Sequence, residues 1–140
     1  MDTRLPSDQA LAYALLRLTL GVTMLVHGAN RIAVGVQQFA AGLDRDFAHT
    51  FLPASMVHLF ALTLPFFEAA IGVLLVTGLL TRLALVLGAL IMTALVFGTT
   101  LREQFMIVGV QLIYAAIYFV LIYHLRHNQI SLDRFLARRP

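Results

Sequence analysis

Four long stretches of this chain are almost free of charged residues, and they constrain the fold more than any other feature. They lie at about residues 10–30, 54–81, 83–101 and 105–126, and only Arg17 and Glu68 are charged well inside them. A helix needs about 20 apolar residues to cross a bilayer core roughly 30 Å thick. The sequence therefore predicts an all-α integral membrane protein, a four-helix bundle forming one domain over residues 1–140.

The composition supports this class and excludes several functions. The chain is 60% hydrophobic and 12% charged, with a mean hydropathy of +0.86. Soluble domains are typically about 45–50% apolar and about 25% charged. The absence of cysteine excludes disulfides and thiolate metal sites. The net charge of +3 is too small and too dispersed to indicate nucleic-acid binding.

The arginines predict the orientation of the bundle. An even number of spans places both termini on one side of the membrane, and basic residues concentrate on the cytoplasmic side. The terminal side carries six arginines and the opposite side three, so both termini are expected in the cytoplasm. The first set is Arg4, Arg82, Arg126, Arg134, Arg138 and Arg139, and the second is Arg31, Arg45 and Arg102.

Two polar segments flank the predicted helices. The loop at residues 31–53 is expected to hold a short amphipathic or re-entrant piece, with Phe39, Phe47 and Phe51 dipping toward lipid. The tail at residues 127–140 alternates apolar and basic residues. We interpret the tail as a loose anchor on anionic lipid, in preference to a helix that docks a partner.

Arg17 and Glu68 are the informative residues of the spans, because a charge inside a membrane is costly. Each lies on a helical face that also carries small residues, as a close helix–helix contact requires. We predict that Arg17 and Glu68 form an ion pair between the first two antiparallel helices. Two interpretations stay open: a clamp that only fixes helix register, or a functional polar site.

The remaining polar candidates lie on the first, second and last spans. Gln111 and Tyr114 share a face, where they complete a pocket with Glu68 or, as we favour, bond to neighbouring backbone. His27 and His58 are expected at one membrane depth. Haem or metal ligation was weighed for them, but ordinary hydrogen-bonded histidines are the preferred interpretation, and neither haem nor a metal site is predicted.

The first two-thirds of the chain resembles a known family. The segments LLRLTLGVTMLVHGANRIAVG (residues 15–35) and FEAAIGVLLVTGLLTRLALVLGALIM (residues 67–92) are similar to the DoxX family of small four-helix membrane proteins. The resemblance rests on an early arginine, His-Gly before a basic residue, Glu-x-x-x-Gly and Gly-Leu-Leu-Thr-Arg. It implies the bacterial cytoplasmic membrane and a link to quinone-dependent oxidation, since relatives include a subunit of a thiosulfate:quinone oxidoreductase.

The leading functional prediction is an accessory or anchor subunit of a quinone-linked oxidoreductase, with quinone bound in a polar pocket around Glu68. Glu68 would handle a proton, and Arg17 would keep it charged or orient the quinone. The cofactor-binding residues would be His27, Arg31, Tyr114 and Gln111. A protein partner would supply electrons, because the chain is at most a subunit of an enzyme. The alternative is a non-catalytic subunit that docks or stabilises another membrane protein, and a transporter is the weakest candidate.

Overall fold

The computed structural model describes residues 6–137, which form a helical bundle with one short surface helix at each end. The elements are α1 (Asp8–Val34), α2 (Val36–Asp46), α3 (Ala54–Thr77), α4 (Thr81–Leu101), α5 (Phe105–Tyr123), a 3₁₀ turn (Leu125–His127) and α6 (Leu132–Leu136). The helices α1, α3, α4 and α5 are each long and apolar enough to cross a membrane. The predicted all-α protein with four membrane-spanning helices is confirmed.

The helix α2 fills much of the segment predicted as a loop. Gly35, with a φ of 114°, makes the sharp turn between α1 and α2, in a conformation that glycine adopts at little cost. Arg31 lies over the ring of Phe39 and Arg102 lies over the ring of Phe47, whereas Phe51 is exposed. That these three rings dip toward lipid stays a prediction.

The tightest helix pair is α1 against α3, and glycines make the close approach possible. A Cβ atom on Gly28 would lie 2.5 Å from the backbone nitrogen of Ala69. Gly72 faces the backbone of Leu25 in the same way, and Gly21 repeats the contact farther along the helix. Because small residues let two backbones come together, this pair has one fixed register.

That register separates Arg17 from Glu68, so the predicted ion pair between them is wrong. Gly28 lies opposite Ala69, the neighbour of Glu68, whereas Arg17 is 11 residues earlier on α1. At 1.5 Å per residue the offset along the helix is about 16 Å. The side chain of Arg17 contacts Gly78, just beyond the end of α3.

The helices α4 and α5 pack together around Tyr118. The ring of Tyr118 is fully buried and lies directly against Gly88, where a Cβ atom would overlap it. Around this contact the buried core includes Leu20, Ile71, Leu75, Leu85 and Leu121. The core therefore joins α1, α3, α4 and α5.

The bundle has two different ends. The end that carries the 3₁₀ turn and α6 is called the tail end, and the end that carries α2 is called the α2 end. At the tail end the backbone N–H of Asp133 donates to the carbonyl of Gly78 at 3.0 Å. The tail is thus docked on the turn between α3 and α4, and the prediction of a loose lipid anchor is wrong over the part that the structure describes. Arg4, Arg138 and Arg139 lie outside the described residues.

Candidate functional site

Arg17 organises the tail end. It is 5% exposed, and its guanidinium donates to Asn128 Oδ1 at 2.5 Å and to the carbonyl of Ile130 at 2.9 Å. Asn128 in turn donates from Nδ2 to Thr81 Oγ1 at 3.0 Å. A buried charge needs such partners, and here the tail supplies them. Arg17 therefore holds the tail against the start of α4.

Asp133 caps the start of α4. Its two carboxylate oxygens accept the backbone N–H groups of Leu80 at 2.7 Å and Thr81 at 2.8 Å. Leu80 has a φ of 47°, an uncommon conformation for a residue other than glycine. Burial alone would raise the pKa of the Asp133 carboxyl, but the hydrogen bonds from Thr81 and Leu80 and the charge of Arg17 outweigh it and hold that pKa below its ordinary value.

Glu68 is paired with Arg31 in the interior of the bundle. The Glu68 side chain is 4% exposed and accepts a hydrogen bond from Arg31, whose side chain is 28% exposed. Arg31 also lies over the Phe39 ring, 4.7 Å from its centroid. The pair joins the end of α1 to α3, and the ring of Phe39 ties α2 to the same arginine.

An apolar cavity opens at the α2 end, between α2, α3 and α4. Its volume is about 270 Å³, close to the lower end of the roughly 300–1,000 Å³ typical of ligand pockets. Its walls include Phe47, Met56, Phe60 and Phe97, with Thr99 and Arg102 as the polar members. A largely apolar cavity with a few polar groups is what a small hydrophobic molecule requires.

Polar atoms beside this cavity have unused hydrogen-bonding capacity. Gln111 donates from Nε2 to Thr99 Oγ1 at 3.0 Å, but its Oε1 is buried without a partner among residues 6–137. Arg102 donates to Asp46 at 2.5 Å, and its Nε likewise lacks a partner in that part of the chain. An unpaired buried group costs free energy, so these two atoms lower the stability of the α2 end.

The structure does not gather the predicted site residues in one pocket. Glu68 and Arg31 form a pair, whereas Gln111 lies beside the apolar cavity. Tyr114 lines a separate groove between α1 and α5 with Leu16, Thr19, Leu20, Thr23, Val110, Ile113 and Ile117. His27 is exposed, and its Nδ1–H donates to the carbonyl of Thr23 on its own helix.

The second histidine weighed from the sequence has an acidic partner. His58 Nδ1 lies 2.7 Å from Asp44 Oδ2, which ties α3 to α2. This contact matches the preferred interpretation of His58 as an ordinary hydrogen-bonded histidine. It also adds a polar contact between α2 and α3 at the α2 end.

Sequence reasoning missed the groups that matter most at both ends. At the tail end these are Asn128 and Asp133, whose short polar side chains are typical of helix caps, and this composition was the available signal. At the α2 end they are Thr99 and Arg102, which line the apolar cavity. The sequence could not show that Arg102 lines a cavity, because that cavity exists only once α2 has packed against α3 and α4.

The comparisons with known proteins identify one relationship. The family model described as DoxX matches residues 12–101 of the chain. The match covers α1 to α4 and both members of the Arg31–Glu68 pair. No curated protein and no solved structure shows significant similarity to the chain.

Proposed function

The chain belongs to the DoxX family, and on that premise we propose that it is a membrane-embedded accessory subunit of a quinone-linked oxidoreductase complex. It is a multi-pass membrane protein, and its quinone link is what the family resemblance implies. The observation that carries the proposal is the apolar cavity at the α2 end, with Arg102 and Thr99 among its walls.

The residues of this cavity fit a quinone. A quinone ring is apolar and planar and carries two carbonyl acceptors, so it needs aromatic walls and hydrogen-bond donors. Phe47, Phe60 and Phe97 supply the first, and the guanidinium of Arg102 is the donor group in the cavity wall. When bound, quinone would take up two electrons and two protons. Arg102 would hold it, and the electrons would come from a partner protein.

Glu68 is assigned to proton handling and not to quinone contact. It lies eight residues beyond Phe60 on α3, about 12 Å along the helix, and it is not among the cavity walls. Its ion-pair partner is Arg31 and not Arg17. Glu68→Gln should therefore lower quinone-dependent turnover of the complex while leaving quinone binding intact. Loss of binding in this variant would contradict the assignment.

The binding test fills the cavity. Ala94 lines it, so Ala94→Phe should weaken the affinity for decylubiquinone at least about tenfold in lipid nanodiscs, because the new ring occupies the ligand's volume. Ala70→Phe on α3 is the matched control, because Ala70 is exposed and lies outside the cavity. Equal affinities for the two variants would reject the cavity as the quinone site.

A second candidate is a non-catalytic subunit that stabilises another membrane protein. The helix α5 favours it, since only 11% of its most apolar stretch is buried, against 33–39% for the other spans. Gentle solubilisation followed by mass spectrometry of retained proteins and lipids separates the two. A dehydrogenase retained together with quinone supports the redox subunit, and a partner retained without quinone supports the structural role.

We further propose the bacterial cytoplasmic membrane, with both termini in the cytoplasm. Among the described residues, Arg82, Arg126 and Arg134 lie at the tail end. Because the chain lacks cysteine, single cysteines report topology cleanly. In intact cells an impermeant maleimide should label Ala48→Cys at the α2 end and not Ala137→Cys at the tail end. The reverse pattern would invert the orientation.

A further inference from the structure

A groove of about 460 Å³ runs along the outside of the tail end, beside the docked tail. It is lined by Leu80, Thr81, Arg82, Leu83, Val86 and Asp133. Leu80, Leu83 and Val86 are 54%, 50% and 41% exposed, so the groove presents an apolar floor to the surroundings. These apolar side chains lie along the first turns of α4, which begins at Thr81.

The mouth of this groove carries unbalanced positive charge. The guanidinium groups of Arg82 and Arg134 are exposed and have no hydrogen-bond or acidic partner among residues 6–137. The carboxylate of Asp133 is already committed to the N–H groups of Leu80 and Thr81. Together with Arg17 behind Asp133, these four groups leave a net charge of about +2.

We propose that this groove binds one anionic phospholipid, with its phosphate between Arg82 and Arg134 and one acyl chain along Leu83 and Val86. Arg82 is the second residue of α4, at the level where a spanning helix leaves the hydrocarbon. Lipid headgroups lie at this level, and basic pockets beside spanning helices bind acidic headgroups. The chemistry recognised is a phosphate diester attached to a hydrocarbon chain.

The site is built by the fold and is not a general basic surface. Arg82 and Arg134 are 52 residues apart in the sequence, and hydrogen bonds made by residues next to them hold their two segments together. Asp133 accepts from Thr81 at 2.8 Å, and Asp133 also donates to Gly78 at 3.0 Å. The backbone positions of the two arginines are thus fixed relative to each other before any lipid arrives, which lowers the entropic cost of binding.

The test measures the affinity for phosphatidylglycerol in detergent by native mass spectrometry, with phosphatidylcholine as the neutral comparison. Each arginine near a membrane surface strengthens the binding of an anionic lipid. We therefore expect Arg82→Gln or Arg134→Gln to weaken phosphatidylglycerol binding about 5-fold, and the double variant to weaken it about 30-fold. Arg45→Gln is the matched control. Arg45 is an exposed arginine at the α2 end whose Nε bonds only to the carbonyl of Ala41.

The outcomes separate a built site from general attraction. Loss of phosphatidylglycerol binding in the Arg82 and Arg134 variants, with Arg45→Gln unchanged and unfolding temperatures equal in phosphatidylcholine, supports the proposal. Equal losses in all variants, or equal affinity of the unmodified protein for both lipids, would overturn it. Competition by glycerol 3-phosphate at equal concentration would also overturn it, because the acyl groove would then contribute nothing.

Discussion

At the tail end Arg17 bonds to Asn128 and to a backbone carbonyl, whereas at the α2 end Arg31 and Arg102 meet carboxylates and phenylalanine rings. Backbone groups and a short amide fix the tail end from several directions. The α2 end is held by side chains of a separate short helix, and it retains a largely apolar cavity between α2, α3 and α4. The same bundle thus combines an end fixed by its own tail and an end with a cavity between its helices.

This contrast separates two uses of charge in a membrane protein. A buried charge held by several hydrogen bonds, as Arg17 is by Asn128 and the Ile130 carbonyl, stabilises one arrangement of the chain. Arg102 instead lines a cavity, and its acidic partner Asp46 is 52% exposed. The predictions below compare matched positions at the two ends, in order of decreasing expected effect.

The largest difference is expected between Arg17 and Arg102. Arg17→Met should lower the free energy of unfolding by about 3 kcal/mol, because it leaves Asn128 and the Ile130 carbonyl without their donor. Arg102→Met should cost about 1 kcal/mol or less, since its partner Asp46 is 52% exposed. Thermal unfolding in detergent, followed by circular dichroism, measures both, and equal losses would contradict the difference between the ends.

Two glycines of α4 provide the next comparison. Gly88→Ala should destabilise the protein by about 2 kcal/mol, because the new methyl group overlaps the buried ring of Tyr118. Gly98→Ala should change stability by less than about 0.5 kcal/mol. Its methyl group would lie 3.0 Å from the half-buried ring of Phe47, which can move, and alanine favours the helix. The same unfolding assay measures both variants. A larger loss of stability in Gly98→Ala than in Gly88→Ala would contradict the claim that the Phe47 ring can move aside.

The cap formed by Asp133 should give a smaller effect with a pH signature. Asp133→Asn should cost about 1 kcal/mol, as the loss of a helix cap does. Because folding lowers the pKa of Asp133, the stabilisation is complete above about pH 4 and is lost as the pH falls through the lowered value. Limited proteolysis of the tail between pH 3 and pH 7 should show this loss in the unmodified protein and not in Asp133→Asn, and parallel profiles would contradict it.

The smallest effect is expected at Gln111. Gln111→Met removes one hydrogen bond to Thr99 but also removes a buried oxygen that has no partner, so stability should change by less than about 0.5 kcal/mol. Asn128→Leu, the counterpart at the tail end, should cost about 2 kcal/mol because Arg17 and Thr81 both lose a partner. Equal costs in the unfolding assay would show that the two amides are equivalent.

The sequence was sufficient for the parts of the fold that depend on hydrophobicity. The lengths of the apolar stretches predicted the four spanning helices. The small residues that share a helical face with Arg17 and with Glu68 predicted a close contact between α1 and α3. The burial of Glu68 also followed from its position in an apolar stretch. These properties are local, or they depend on one helix face, so they can be read without knowing the tertiary contacts.

The pairing of charges could not be predicted from the sequence. It depends on register, and register is set by Gly28 and Gly72 against the opposite backbone. The first turns of α1 extend beyond α3, which places Arg17 at the tail end and Arg31 within reach of Glu68. The docked tail was missed for the same reason, because Asn128 and Asp133 have no visible partners until the turn between α3 and α4 is in place.

The most direct test of the account maps where a photoreactive quinone labels the protein in native-like nanodiscs. Mass spectrometry of the labelled peptides should place adducts on cavity residues of the α2 end, such as Met56 and Phe97, and Ala94→Phe should abolish them. Adducts at the tail end, or labelling spread evenly over the exposed face of α5, would contradict the assignment of the quinone site to the α2 end.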